Sequence, residues 1–147
     1  MILQALFAAA TLLVFIGVTP IQQEGEKKTP SKIGAWTTVE FHFRGKKQPQ
    51  EACDERSFAF TEKEFHIIDR RWGIDFVSKY RFTRDESKSP IEFDFSDANG
   101  IVNRGIYKFE GDRLFVAYRE SGDGMRPKDF TPMPQDMNSI YALVRKK

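Results

Sequence analysis

The sequence is poor in the residues on which most enzymes and metal sites depend. Its 147 residues include one cysteine and two histidines. A single cysteine excludes an internal disulfide, and a zinc site needs three or more converging ligands, usually histidine and cysteine. The sequence also lacks a G-x-S-x-G motif, a phosphate-binding loop and a dinucleotide-binding fingerprint. It therefore predicts no catalytic residue, no metal site and no cofactor.

Neither sign of charge dominates. The chain has 23 Lys and Arg against 21 Asp and Glu, a formal net charge of +2. The basic pairs Lys46-Lys47, Arg70-Arg71 and Lys146-Lys147 are scattered along the chain. Balanced, dispersed charge is typical of a solvated surface and not of a nucleic-acid-binding face. We expect no nucleic acid among the partners.

The N-terminus carries the one long apolar run. Residues Ile2 to Val18 hold no charge, and the first charged residue is Glu24. This length lies between that of a signal-peptide core and that of a membrane-spanning helix. We predict a helical export signal cleaved between Thr19 and Gln23, with an uncleaved N-terminal anchor as the alternative, and membrane contact only through this segment. The expected location is exported: periplasmic, secreted or in the cell envelope.

We expect residues 1–23 to be the signal peptide or anchor, residues 24–31 a polar linker, and residues 32–147 the folded domain. Phenylalanine occurs fourteen times, and aromatic side chains suit the half-buried surface of a sheet. From Lys32 onward the apolar residues recur with a period of two, which is typical of strands. In the first strand the predicted inward face holds Ala35, Val39, Phe41 and Phe43.

The turns between the apolar runs are short, which favours neighbouring antiparallel strands. Asn99-Gly100 predicts a hairpin turn, and Gly111, between Glu110 and Asp112, suits a left-handed turn position. We count about eight strands and no convincing amphipathic helix in the domain. The predicted fold is all-β: an up-and-down, lipocalin-like antiparallel barrel, whose closure removes exposed edges.

Several short motifs, in their order and spacing, resemble a known family. The chain is similar to a lipocalin-like domain family abundant in Planctomycetes, which has no assigned biochemical activity, over residues 32–147. The resemblance rests on Gly34-Ala35-Trp36, Gly45-Lys46-Lys47, Thr61-Glu62-Lys63-Glu64-Phe65, Ser89-Pro90-Ile91-Glu92-Phe93, Gly105-Ile106-Tyr107, Glu110-Gly111-Asp112-Arg113-Leu114 and Arg126-Pro127-Lys128-Asp129-Phe130.

The pair Gly34-x-Trp36 also resembles the opening motif of lipocalins proper. In those proteins the tryptophan closes one barrel end beneath an arginine from near the last strand. The resemblance implies that Arg145 lies over Trp36 in a cation–π contact, which is a structural role.

Four residues are the candidates for ligand contact. Tyr80, Tyr107 and Tyr118 could supply hydroxyl groups to a pocket, and Arg126 follows a glycine-rich loop expected at a barrel mouth. The alternative for Arg126 is structural: it caps backbone carbonyls or pairs with Asp129. The interior is either a cavity or filled by phenylalanine, as in many small barrels.

These features favour a binding protein over an enzyme. We predict that the domain binds a small apolar or amphipathic ligand. The alternative is a non-catalytic protein-interaction module of the cell envelope, which an exposed apolar patch would favour. The expected partners are therefore a small apolar ligand or another protein.

Overall fold

The computed structural model describes residues 31–119 and 123–147, so the predicted signal or anchor and most of the linker lie outside the described residues. Within these two ranges no helix is long and apolar enough to cross a membrane. The elements are β1 Gly34–Phe43, β2 Lys46–Lys47, α1 Gln50–Asp54, β3 Arg56–Phe60, β4 Glu64–Arg71, β5 Ile74–Asp85, β6 Ile91–Ser96, β7 Val102–Glu110, β8 Arg113–Arg119 and β9 Asn138–Arg145.

The strands form one antiparallel sheet that closes on itself. Each of β3 to β9 pairs with the strand before it in sheet order, beginning from β1, and β9 returns to pair with β1. The two residues of β2 extend the sheet only at the end of β1, where His42 lies opposite Lys47. The predicted all-β, eight-stranded up-and-down barrel is therefore confirmed, with β2 as an additional short strand.

A short helix occurs where the sequence pattern showed none. The helix α1 spans Gln50–Asp54, with Pro49 at its N-cap position and Cys53 buried on its inner side. Five residues are too few for an apolar period of 3.6 to become visible in a sequence. The lone cysteine thus belongs to the packing of this turn, where burial raises the pKa of the Cys53 thiol.

The predicted inward face of β1 is wrong in its first half. Trp36 and Thr38 are buried, whereas Ala35 and Val39 are exposed and Phe41 packs against the core. The pairing of β1 with β9 shifts register between Thr38 and Glu40. A β-bulge adds one residue to one strand, so the parity of the inward-facing side chains changes across it.

The period of two predicted from Lys32 onward also fails in the first half of β5. Phe82 is buried, but Ile74 and Phe76 on the same face are exposed. The reason is that β6 ends at Ser96, opposite Arg81, so the earlier residues of β5 extend beyond the barrel wall. Their inward side chains have no opposite strand to pack against.

The β6–β7 hairpin is present, but its turn is wider than the predicted pair Asn99-Gly100. Gly100 has a positive φ of 80° and Asn99 does not. The Asp97 carboxylate instead accepts hydrogen bonds from the backbone N–H groups of Asn99 and Ile101, at 2.9 and 3.0 Å. The side chain of Asp97 therefore organises a longer loop. Gly111 has a φ of 61° in the β7–β8 turn.

Aromatic rings fill the barrel. Phe65, which is fully buried, lies with its ring centroid 4.8 Å from that of Phe60 and 5.1 Å from that of Phe95. These rings belong to one continuous cluster of buried side chains: Trp36, Phe58, Phe60, Phe65, Ile67, Phe82, Phe93, Phe95, Tyr107, Leu114, Val116, Tyr118, Tyr141 and Leu143. Of the two alternatives, cavity or filling, the structure shows an interior occupied by side chains.

Candidate functional site

The barrel has two chemically different ends. The Lys32 end consists of the segment before β1 and the turns β3–β4, β5–β6 and β7–β8. The Arg56 end consists of α1, the turns β4–β5 and β6–β7, and the loop before β9. Each end brings a basic side chain against the aromatic core.

At the Lys32 end, a lysine side chain lies against the aromatic core. Lys32 is 6% exposed, and its Nζ lies 5.5 Å from the ring centroid of Phe82 and 5.9 Å from that of Tyr107. Within the described part of the chain, no carboxylate lies within ion-pair distance of this ammonium group. Burial, with a smaller contribution from Arg84, lowers the pKa of Lys32, and the negative charges of Glu86 and Glu62 partly oppose that shift. The ammonium group is thus partly stripped of water, and residues 31–119 and 123–147 place no carboxylate in direct contact with it.

Three residues from the family-like motifs hold the segment that carries Lys32. The Arg145 guanidinium lies 4.4 Å from the ring of Trp36 and donates hydrogen bonds to the carbonyls of Ser31 and Ile33. The Trp36 indole N–H donates to the Lys32 carbonyl at 2.8 Å. Gly34 has a φ of 126°, and a Cβ there would collide with the Arg145 guanidinium. Gly34, Trp36 and Arg145 therefore act together to position Lys32.

A pocket of about 460 Å³ opens beside Lys32. Its apolar wall includes Ile91 and Phe109, and its polar rim includes Arg84 and Glu86, whose side chains pair at 2.5 Å. Tyr107 lines the same pocket, and burial together with the nearby Glu86 raises the pKa of its hydroxyl to about 12. The Tyr107 hydroxyl is consequently a neutral hydrogen-bond donor at physiological pH.

The four predicted ligand-contact residues do not come together. Tyr107 lies at the Lys32 pocket, whereas Tyr118 is fully buried in the centre and stacks on Tyr141, with centroids 5.7 Å apart. Tyr80 packs its ring against Phe95 in the wall. Tyr107 and Tyr80 thus line different pockets, Tyr107 the one at the Lys32 end and Tyr80 one of about 400 Å³ beside the β6–β7 turn.

Arg126 lies on the outer wall of the barrel. Its Nη1 donates to the carbonyls of Phe93 and Gly105 at 2.8 and 2.7 Å, and its Nη2 donates to Asp94 at 2.6 Å. Its Nε lies 3.4 Å from a Glu92 carboxylate oxygen. These contacts match the structural alternative of carbonyl capping, although the paired carboxylates are Asp94 and Glu92 rather than Asp129.

At the Arg56 end, an inward-facing ion pair was missed by the sequence analysis. Arg56 donates from Nε and Nη2 to the two carboxylate oxygens of Asp69, at 2.6 and 3.2 Å, and from Nη1 to the Tyr141 hydroxyl at 2.8 Å. Burial disfavours the charge, but Tyr118, Tyr141 and Asp69 outweigh it and raise the pKa of Arg56. The sequence did contain a signal for this inward arginine, because the period-two pattern places Arg56 on the same face of its strand as the inward Phe58.

A pocket of about 240 Å³ lies above this pair, between Phe41, Phe43 and the start of β3. Here the guanidinium of Arg56 already has two carboxylate oxygens and a hydroxyl as partners. An incoming anion would have to compete with Asp69. Unlike Lys32, Arg56 thus has its charge balanced by a carboxylate within the described part of the chain.

The two histidines each have a carboxylate partner on their own strand. His42 lies 2.7 Å from Glu40, and His66 lies 2.8 Å from Glu64. Across residues 31–119 and 123–147, no three His, Cys, Asp or Glu side chains converge in a way that could hold a metal ion.

Comparison with protein-family models and with curated proteins finds no match to this chain. Among solved structures, the chain is similar to a mutant of the fluorescent protein UnaG, with a TM-score of 0.41 and 10% sequence identity. The alignment covers 78% of this chain and 96% of that one. No inference about function follows from so distant a likeness, and the resemblance to the Planctomycete family stays a prediction.

The ion pair at the Arg56 end generates a stability prediction. Replacing Asp69 with Leu strands the Arg56 charge in a largely buried site, so Asp69→Leu should lower the free energy of unfolding by about 2–4 kcal/mol. The double variant Arg56→Met/Asp69→Leu removes both charges and should recover most of that loss. Urea unfolding of both variants measures the difference. A double variant as unstable as the single one would contradict this account of the pair.

Proposed function

We propose that this protein is a non-catalytic binding protein for a small amphipathic anion, held at the Lys32 end of the barrel. The observation that carries the proposal is the position of Lys32: its ammonium group is buried against Phe82 and Tyr107 beside an open pocket, without a carboxylate partner among the described residues. A buried charge is costly unless it is paired.

An anionic head group would complete this arrangement. The cation–π contacts of Lys32 contribute about 0.5–2 kcal/mol, less than a direct, charge-assisted hydrogen bond in a partly dry site provides. A carboxylate beside Lys32 would also lie near Arg84 and within the reach of the Tyr107 hydroxyl, since all three line the pocket. Lys32 supplies a positive charge and Tyr107 a neutral donor; Arg84 is already paired with Glu86, and Glu62 also lines the pocket, so the attraction for an anion rests on Lys32.

The remainder of the ligand would be apolar and modest in size. Ile91 and Phe109 form the apolar part of the pocket, whose volume of about 460 Å³ falls within the range typical of small-molecule sites. The filled interior prevents deep entry, because the ring of Tyr107 belongs to the packed core. We therefore expect a ligand that lies across the barrel end rather than one enclosed in the barrel interior.

The probe for this proposal is dodecanoate, with dodecanol as the uncharged probe of the same chain length. Trp36 lies 6.2 Å from Phe109, ring centroid to centroid, so its fluorescence should report occupancy. The chain has two tryptophans, and Trp72→Phe leaves Trp36 as the single reporter. In this background we expect saturable binding of dodecanoate, and Lys32→Met should weaken it by about tenfold or more because an ion pair is lost.

The control variant is Lys46→Met, which removes the same charge at the opposite end and should leave the affinity unchanged. Dodecanol should bind Lys32→Met no more weakly than the parent. Equal affinity of the parent and Lys32→Met for dodecanoate would refute the proposed site.

The same titration has a pH signature. The pKa of Lys32 in the free protein lies below 10.5, and a bound anion favours the charged amine and raises that pKa. Affinity for dodecanoate should therefore fall as the pH rises from neutrality towards 10.5, as the free protein loses this proton. Lys32→Met should show no such decline; a decline of equal size in that variant would point to another group.

The apolar N-terminal run lies outside the described residues, so the proposal of export rests on the sequence alone. We propose that residues 1–23 direct the domain across a membrane and are removed. Intact-mass measurement of the full chain expressed in a secreting bacterial host should then give a mature N-terminus between Thr19 and Gln23. Recovery of the intact chain in the membrane fraction would instead support the anchor.

The alternative function, a protein-interaction module, has one specific observation in its favour. The β4–β5 hairpin exposes large apolar side chains, among them Trp72, which is 90% exposed. This surface lies at the Arg56 end, away from the Lys32 pocket, so the two functions would not compete for one site.

A further inference from the structure

One strand of the barrel extends well past its neighbour. Strand β5 begins at Ile74, but its pairing with β6 begins only at Arg81, opposite Ser96. Its other edge is paired throughout with β4, from Ile74 opposite Arg71 to Arg81 opposite Glu64. The stretch from Ile74 to Tyr80 is therefore an open sheet edge on the side where β6 would continue.

The geometry of the hairpin shows which backbone groups are open. Trp72 and Gly73 form a two-residue turn with φ values of 51° and 77°, the pattern of a type I′ turn. Such a turn makes Arg71 and Ile74 a hydrogen-bonded pair, and backbone direction then alternates along the strand. The even-numbered residues of β5 bond to the β4 side, as the Phe82 N–H does by donating to the Lys63 carbonyl.

The odd-numbered residues consequently direct their backbone groups to the open side. These are Asp75, Val77 and Lys79, for whose N–H and C=O groups residues 31–119 and 123–147 provide no partner strand. Unpaired, extended edges are templates for another strand, and proteins normally cover or blunt them.

The side chains around this edge are unusually apolar for a surface. Ile74 is 58% exposed, Phe76 49% and Val77 50%, and Trp72 stands at the tip. Because the apolar side chains lie on both faces of the projecting hairpin, a partner that pairs with its edge would contact both faces. The only charged residues between Ile74 and Tyr80 are Asp75 and Lys79.

We propose that this edge pairs with the same edge of a second copy of the chain, antiparallel and centred on Val77. In this register Val77 meets Val77 of the second copy, and Asp75 meets Lys79 of the second copy on both sides of the two-fold axis. The central Val77 pair and the two Asp75–Lys79 pairs all join odd-numbered residues, whose backbone groups face the open side. Each of these three pairs therefore forms two backbone hydrogen bonds. The opposite charges stand directly across the new strand pair, which stabilises it.

The register also accounts for the exposed tip. Ile74 lies opposite Tyr80 of the second copy, and this is the last pair that can form. The next residue of β5 in the second copy is already paired with that copy's own β6, so the new strand pairing must end there. A notch of about 400 Å³, lined by Lys79, Arg81 and Ser96 among others, lies at this point of the wall. Trp72 of each copy reaches the notch of the other. The interface is isologous, the same patch used twice, as in most symmetric dimers.

Self-complementarity selects a second copy over an unrelated peptide. A heterologous strand would need its own residues to match Asp75 and Lys79, whereas the chain carries the match in its own spacing, two residues on either side of Val77. Asp75 also pairs with Arg70 across the hairpin at 2.7 Å, so each side of the dimer would hold a network of one carboxylate and two cations.

Charge-swapped variants of the full chain test the proposal. The chain should show a reversible monomer–dimer equilibrium in sedimentation velocity. Asp75→Lys places like charges opposite each other at both pairs, and so does Lys79→Asp; each should raise the dissociation constant of the dimer by about tenfold or more. An equimolar mixture of the two variants restores opposite charges at both pairs and should form a one-to-one heterodimer.

Two further variants separate this interface from general damage. Asp75→Lys/Lys79→Asp keeps the charges complementary and should dimerise like the parent. Val77→Pro removes an N–H that points to the open edge and leaves the ladder with β4 intact, so it should be monomeric and folded by circular dichroism. The proposal is overturned if the parent is monomeric, if either charge variant dimerises like the parent, or if the mixture stays monomeric.

Discussion

Closure of the sheet between β1 and β9 is the constraint on which the other features depend. The pairing runs from Trp36 opposite Arg145 to Phe43 opposite Ser139 and turns a meander of hairpins into a wall with one interior. Because that interior is packed with phenylalanine and tyrosine, charged groups can approach it only at the two ends. Lys32 enters at one end, and Arg56 enters at the other.

The two basic residues differ in how their charge is balanced within the described part of the chain. Arg56 has Asp69 and Tyr141 as partners within the chain, so its charge contributes to the fold. Lys32 has aromatic rings and a pocket beside it, which is the basis of the proposed anion site. Exposed apolar residues concentrate on the β4–β5 hairpin at the Arg56 end, so the proposed dimer edge and the proposed ligand pocket lie at opposite ends of the barrel.

The alternation of apolar residues was sufficient to predict the class of fold, since one face of each strand had to be buried away from water. It failed where a side chain's direction depended on something outside its own strand. At Val39 the cause was a bulge set by β9, and at Phe76 it was the early end of β6. Lys32 precedes the first strand, and its burial depends on Arg145, more than a hundred residues away, so no local pattern could reveal it.

The central claim, that side chains rather than a cavity occupy the middle of the barrel, has one direct test. Phe65 is fully buried and surrounded by rings, so Phe65→Ala should leave an unfilled void and lower the free energy of unfolding by about 3–5 kcal/mol in urea. The same substitution at the half-buried Phe43 should cost clearly less. A loss below about 1 kcal/mol at Phe65 would show that its ring already borders empty space, and would contradict the packed interior.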